Sequence, residues 1–120
     1  MLTIDERFNL DGKVAVLAGG AGYLGSTLAR AMVEAGMTVI TLDVARSAIA
    51  RRASQDGVTR LRCDVTSKAD LVRCRKAILG RHRRVDVLLN AAGTNAPTPF
   101  FDITEAEFER IMKVNLLGTL

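Results

Sequence analysis

The 120-residue sequence has no tryptophan, one tyrosine, two prolines, two cysteines and one histidine. Cys63 and Cys74 are too few and too widely spaced for a disulfide scaffold or a zinc site, so they read as reduced, buried thiols. That usage points to a cytoplasmic protein. No apolar run approaches the roughly 18 to 20 residues that span a bilayer, and the opening Met1-Leu-Thr-Ile-Asp-Glu-Arg7 lacks the basic-then-apolar order of a secretion signal. Neither membrane insertion nor export is therefore expected. Two Pro against ten Gly argue against a low-complexity linker. What is present, 48% apolar and 25% charged residues, is ordinary for a folded chain, and residues 1–120 are expected to form a single domain.

The net charge of +4 is unevenly spread, with twelve Lys or Arg against three Asp or Glu between Ala45 and Val85. A segment this basic can meet phosphate. Its cations fall on expected helices and strand edges with little aromatic interleaving, which favours a solvated face over a nucleic-acid surface. His82, within Gly80-Arg-His-Arg-Arg84, has no second ligand at helical spacing; a solvated turn is expected there, and no metal.

Short apolar segments alternate with helical ones. Val14-Ala-Val-Leu-Ala18 is a continuous apolar run ending in glycines, the pattern of a strand buried on both faces. Leu24, Leu28, Ala31, Met32 and Ala35 recur at spacings of three and four, and Gly36 supplies a stop, so a helix is predicted from Leu24 to Ala35. Thr38-Val-Ile-Thr-Leu-Asp43 is a second strand, and Ala45 to Gln55 a second helix. Thr59-Arg-Leu-Arg-Cys63 alternates as a strand near a sheet edge would. Ser67-Lys-Ala-Asp70 opens a further helix, which Gly80 closes. Val85-Asp-Val-Leu-Leu-Asn90 is a fourth strand. Ala91 to Asp102, with Pro97 and Pro99, is a loop. Thr104, with Glu107 three residues on, opens a last helix that is still running at Leu120. The order is that of a doubly wound, Rossmann-like α/β fold: about four parallel strands, with helices on both faces. The sheet is expected to be incomplete, because so apolar a fourth strand normally has neighbours on both sides.

Ala18-Gly19-Gly20-Ala21-Gly22-Tyr23-Leu24-Gly25 lies between the first strand and first helix. Gly20, Gly22 and Gly25 satisfy G-x-G-x-x-G, whose glycines serve a tight turn, close approach to a pyrophosphate and close packing of helix on strand. The helix start beyond them offers unpaired N–H groups to phosphate. Asp43, 18 residues past Gly25, ends the second strand, where a carboxylate accepts from the ribose hydroxyls of adenosine and repels a 2′-phosphate. NAD is favoured over NADP, although the Arg46 fork would suit a phosphate.

These residues resemble the short-chain dehydrogenase/reductase family from about Asn9 onward. Leu10-Asp-Gly-Lys-Val-Ala-Val16 is similar to the family's lead-in. Cys63-Asp64-Val65 resembles its adenine-contacting Asp-aliphatic pair, and Asn90-Ala91-Ala92-Gly93 its N-N-A-G on the adenosine side. Asn115, in Lys113-Val-Asn-Leu116, matches the helix asparagine of the family's Asn-Ser-Tyr-Lys catalytic group, where it helps to hold a proton-relay water. The resemblance implies cofactor contacts at Gly19, Gly20, Gly22, Tyr23, Leu24, Gly25, Asp43, Asp64, Val65, Asn90, Ala91 and Gly93, and a catalytic part for Asn115. It implies an NAD(P)-dependent oxidoreductase interconverting an alcohol and a carbonyl, homo-oligomeric when intact.

The departures are specific. Ala18 and Tyr23 replace the Thr and middle Gly of T-G-x-x-x-G-x-G, and the spacing Gly19-x-x-Gly22-x-x-Gly25 is nearer the nucleotide-sugar epimerase and dehydratase branch. Ala91 stands for the second Asn. Tyr23 is the only tyrosine, so the sequence contains no Tyr-x-x-x-Lys. The family's tyrosine donates or accepts the proton as hydride moves, its pKa lowered by the lysine. The chain therefore reads as a truncated N-terminal, cofactor-binding part, inactive alone. A non-catalytic dinucleotide-binding protein is the alternative.

Overall fold

A computed structural model describes residues 3–44 and 57–120. The helix expected over Ala45 to Gln55, and Arg46 with it, lie outside the described residues. Four parallel strands form one sheet: β1 (Val14–Ala18), β2 (Thr38–Asp43), β3 (Val58–Arg62) and β4 (Val87–Asn90), in the spatial order β3-β2-β1-β4. Val16 pairs with Ile40 on one side and Leu88 on the other, so β1 is central.

Every residue of β1 is buried, as its unbroken apolar run requires. Its side chains alternate between two cores. Val14 and Val16 pack with Ile40, Leu42, Cys63, Cys74 and Ile78, beneath helix α3 (Lys68–His82). Ala15 and Leu17 pack with Val39, Val58, Met37 and Ala29, beneath helix α2 (Tyr23–Glu34). Helices thus cover opposite faces, as a doubly wound sheet demands. β3 is an edge of this sheet, as its alternating arginines predict. Beyond β4 no further strand pairs among the described residues, and Leu88 is 62% exposed.

Several boundaries differ from expectation. A helix absent from the sequence reading, α1 (Ile4–Phe8), opens the chain: Thr3 Oγ1 accepts from the Glu6 N–H while Glu6 Oε2 accepts from the Thr3 N–H. Gly80 does not close α3, which runs on to His82 and ends where Arg83 turns left-handed at φ 63°. An internal glycine costs only about 1 kcal/mol, and basic residues suit the final turn of a helix. β4 begins at Val87 rather than Val85, because Asp86 works as a staple: its carboxylate accepts from the Val14 N–H and from Arg84 Nε, both at 2.8 Å. Arg84 is therefore paired, not merely solvated. The last helix, α4 (Glu105–Asn115), is capped by Thr104 as expected, but it stops before the chain does. A 3-10 turn, Leu117–Thr119, follows it, and the Thr119 hydroxyl donates back to the Asn115 carbonyl at 3.3 Å.

Candidate functional site

In an open parallel sheet, ligands bind outside the carboxyl ends of the strands where the chain winds in opposite directions, here between β1 and β4. A cleft of about 820 Å³ lies there. All four strand ends contribute to it: Gly19 and Gly22 after β1, Asp43 and Val44 at the end of β2, residues 63–66 after β3 and 91–94 after β4.

The glycine-rich loop divides its roles differently from the literal motif. The left-handed turn falls on Gly19, at φ 83°, not on Gly20. A Cβ on Gly19 would also lie 2.5 Å from the Ala92 nitrogen, so β4's following loop needs that residue bare. Gly20 sits against the Thr41 side chain, and Gly25 against the Gly19 carbonyl. Gly22 is different. A Cβ there would meet only the Gly19 oxygen, at an ordinary 3.6 Å, so packing within the chain does not demand glycine at the mouth of α2.

That mouth suits an anion. Gly22 caps α2 with no side chain to accept from the first-turn N–H groups, and the first turn carries no acidic residue. Unsatisfied amides at a helix start attract a negative group, worth roughly 0.3 to 2 kcal/mol from the dipole alone. Tyr23 and Leu24 begin the helix with side chains 93% and 64% exposed, away from the cleft lining. The Ala21 N–H donates to Asp43 Oδ2 at 3.1 Å, tying the loop to the end of β2.

Asp64 does not cap α3; Ser67 does, accepting from the Asp70 N–H at 3.3 Å. The Asp64 carboxylate accepts instead from the Thr66 hydroxyl and N–H, at 2.7 and 2.8 Å, and these bonds hold it below the usual carboxylate range. Both bonds reach Oδ1, leaving Oδ2 without a hydrogen-bond partner among the described residues. Val65, Ala91 and Gly93 line the cleft, whereas the Asn90 side chain is exposed and outside the lining.

Asn115 is also outside the lining. Its amide grips the backbone of Thr94 reciprocally, Oδ1 accepting from the N–H at 2.8 Å and Nδ2 donating to the carbonyl at 3.0 Å. The cleft wall from α4 was missed by the sequence reading. It consists of Arg110, Lys113 and Val114, whose spacing of three and four places them on one helical face. Arg110 Nη1 donates to the Thr94 hydroxyl at 3.0 Å. The signal was available in that periodicity, but nothing in the sequence said which face turns toward the strand ends. Among the described residues no group of three or more His, Cys, Asp or Glu could hold a metal ion, and no helix is long and apolar enough to cross a membrane.

A parallel sheet in this order, with a cleft across its carboxyl ends, defines a Rossmann-like protein. The sequence model described as "short chain dehydrogenase" matches residues 13–120, and the chain belongs to that family. It is 33% identical to the momilactone A synthase of Oryza sativa subsp. japonica, covering 98% of this chain and 44% of that protein. It is 33% identical to the sorbitol dehydrogenase of Cereibacter sphaeroides, covering 92% of this chain and 44% of that protein. A solved short chain dehydrogenase from Leptospira borgpetersenii serovar Hardjo-bovis (strain JB197), with bound NAD+, superposes at a TM-score of 0.82 with 26% identity. That match covers 99% of this chain and 46% of the other. The chain spans less than half the length of these relatives.

Proposed function

We propose that this chain is the cofactor-binding part of an NAD(P)-dependent oxidoreductase that interconverts an alcohol and a carbonyl. The observation that carries the reading is the α2 mouth: a helix start with no side-chain cap, opening on the cleft beside Gly22, where packing within the chain leaves room for a side chain and none is present. The diphosphate would lie against the amides from Gly22 to Gly25. Asp43, at the end of β2, would accept from the adenosine ribose hydroxyls, and its charge would disfavour a 2′-phosphate, so NAD is the proposed cofactor. The base would lie between Asp64 and Val65 on one side and Ala91 to Gly93 on the other, with Asn90 steadying the strand end.

When bound, the nicotinamide supplies the hydride chemistry. This chain's residues bind and orient. Asn115 anchors the loop after β4, and its proposed catalytic part would act through that loop and its own carbonyl. Residues 1–120 would act as one domain. Proton transfer would need a tyrosine other than Tyr23, which begins α2 beside the proposed phosphate site. The substrate would be a small alcohol or carbonyl compound.

The test is titration of the chain with NADH and NADPH, followed by nicotinamide fluorescence. NADH should bind more tightly, and Asp43→Ala should abolish that preference. Equal or tighter binding of NADPH by the unaltered chain would overturn the ribose assignment.

A further inference from the structure

Between β3 and α3 the backbone of the proposed base-binding corner is held by two charged side chains that do not themselves line the cleft. Asp70 and Arg73 lie one turn apart at the start of α3. Asp70 Oδ2 accepts from the Asp64 N–H at 2.9 Å, and Asp70 Oδ1 accepts from Arg73 Nη2 at 2.9 Å. The same Arg73 nitrogen donates to the Arg62 carbonyl at 2.7 Å. The pair therefore grips the main chain on both sides of Cys63, and beneath it the Cys74 thiol donates to the same Arg62 carbonyl at 3.5 Å. These bonds hold the Asp70 carboxyl below its usual range, the Asp64 amide being the larger cause and Arg73 the second.

We infer that Asp70 and Arg73 are positioning residues for recognition of a purine base by Asp64 and Val65. The inference rests on the dinucleotide reading above. With Oδ1 occupied by Thr66, the direction of Asp64 Oδ2 is set by the backbone at Asp64, and Asp70 fixes that backbone. Oδ2 is thereby kept as an acceptor for an amino group on the base edge. An ion pair with Arg73 half exposed adds little to global stability, so its principal effect is on the corner itself. An amide bonded to a carboxylate is a charge-assisted hydrogen bond, and its loss frees a group whose displacement by even 1 Å weakens a directional contact.

The experiment compares AMP with nicotinamide mononucleotide, which lacks the purine, by calorimetry on the full chain. Asp70→Ala should weaken AMP roughly tenfold, as expected for removing a charge-assisted hydrogen bond. Asp70→Asn keeps an acceptor for the Asp64 N–H and should restore most of that affinity. Neither variant should change the affinity for nicotinamide mononucleotide. Hydrogen exchange gives a second readout: the Asp64 amide should be protected in the unaltered chain and exchange faster in Asp70→Ala. If AMP binds the unaltered chain and Asp70→Ala equally, or if both nucleotides weaken together, the positioning role is overturned while the dinucleotide reading stands. If the unaltered chain binds neither nucleotide, the dinucleotide reading fails, and the base-positioning role fails with it. An Asp64 amide that exchanges freely in the unaltered chain overturns the positioning role even if Asp70→Ala does not fold.

Discussion

Asn115, the last residue of α4, holds Thr94 by both of its backbone polar groups, 21 positions back along the chain. The loop after β4 carries two prolines and little regular structure, so this reciprocal pair supplies much of its definition. Asn115→Ala should destabilise the chain by about 1 to 2 kcal/mol, one modest increment for each hydrogen bond. Asn115→Asp should cost more, since a carboxylate oxygen would then face the Thr94 carbonyl. Urea melts of the two variants check this ordering; a neutral Asn115→Asp would contradict it.

Gly22 and Gly25 should separate binding from folding. A methyl group on Gly25 would collide with the Gly19 carbonyl, so Gly25→Ala should destabilise by about 2 to 3 kcal/mol through overpacking. Gly22→Ala meets no such obstacle; at φ −70° its effect on stability should stay under about 1 kcal/mol. Its effect should appear in NADH affinity instead, as a loss of roughly tenfold, or about 1.4 kcal/mol. Thermal melts paired with NADH titration distinguish the two outcomes.

Cys63 should be chemically silent in the folded chain. Burial, then the neighbouring Cys74 thiol, push its pKa up to about 12. Because the folded value lies above the unfolded one, the neutral thiol's contribution to stability is complete below about pH 8.5 and is lost as pH rises toward 12. Alkylation by iodoacetamide at pH 8 should therefore be slow until denaturant is added, and stability should decline on the alkaline side. Rapid labelling of the native chain at pH 8 would count against this burial.

At acid pH the sign reverses. Asp86 is held below its usual range first by Arg84 and then by the Val14 amide, and Asp64 and Asp70 are lowered by their own bonds. Their contributions are present above the unfolded carboxyl pKa near 4 and vanish as pH falls through the lower folded values. Asp86→Asn should flatten the acid limb of the stability curve. Denaturant midpoints measured between pH 5 and pH 2 on both proteins make the comparison.

The strands were the most legible part of the fold. Val14–Ala18 and Thr38–Asp43 appear with the expected bounds, the first because a strand covered by helices on both faces is continuously apolar and the second because it is short and β-branched. Two helix starts were legible because a side chain caps them, Ser67 for α3 and Thr104 for α4. Thr3-Ile-Asp-Glu6 carries the same capping-box signal, but the helix behind it is only five residues long, too short for an apolar periodicity to mark it. Helix ends were less legible. Gly80 reads as a stop but lies inside α3 with open space where a Cβ would be. The end of α4 coincides with Gly118 passing so close to Val65 that a Cβ would lie 2.7 Å from its Cγ2, a contact between residues 53 positions apart. Local pattern cannot report such a contact.

For the candidate site, the sequence alone determined which residues stand at the carboxyl ends of the strands, since alternation of short apolar runs with helices fixes where each strand stops. Gly19, Asp43, Asp64 and Gly93 follow from that rule. Only the tertiary structure decided which of them share a cleft, that Gly19 rather than Gly20 makes the turn, and that Arg110 and Lys113 form the opposite wall. The reason is physical: strand and helix periods are local, set by backbone hydrogen bonds within a few residues. The rotation of α4 about its own axis, and the meeting of Asn115 with Thr94, are settled by packing between segments far apart in the chain.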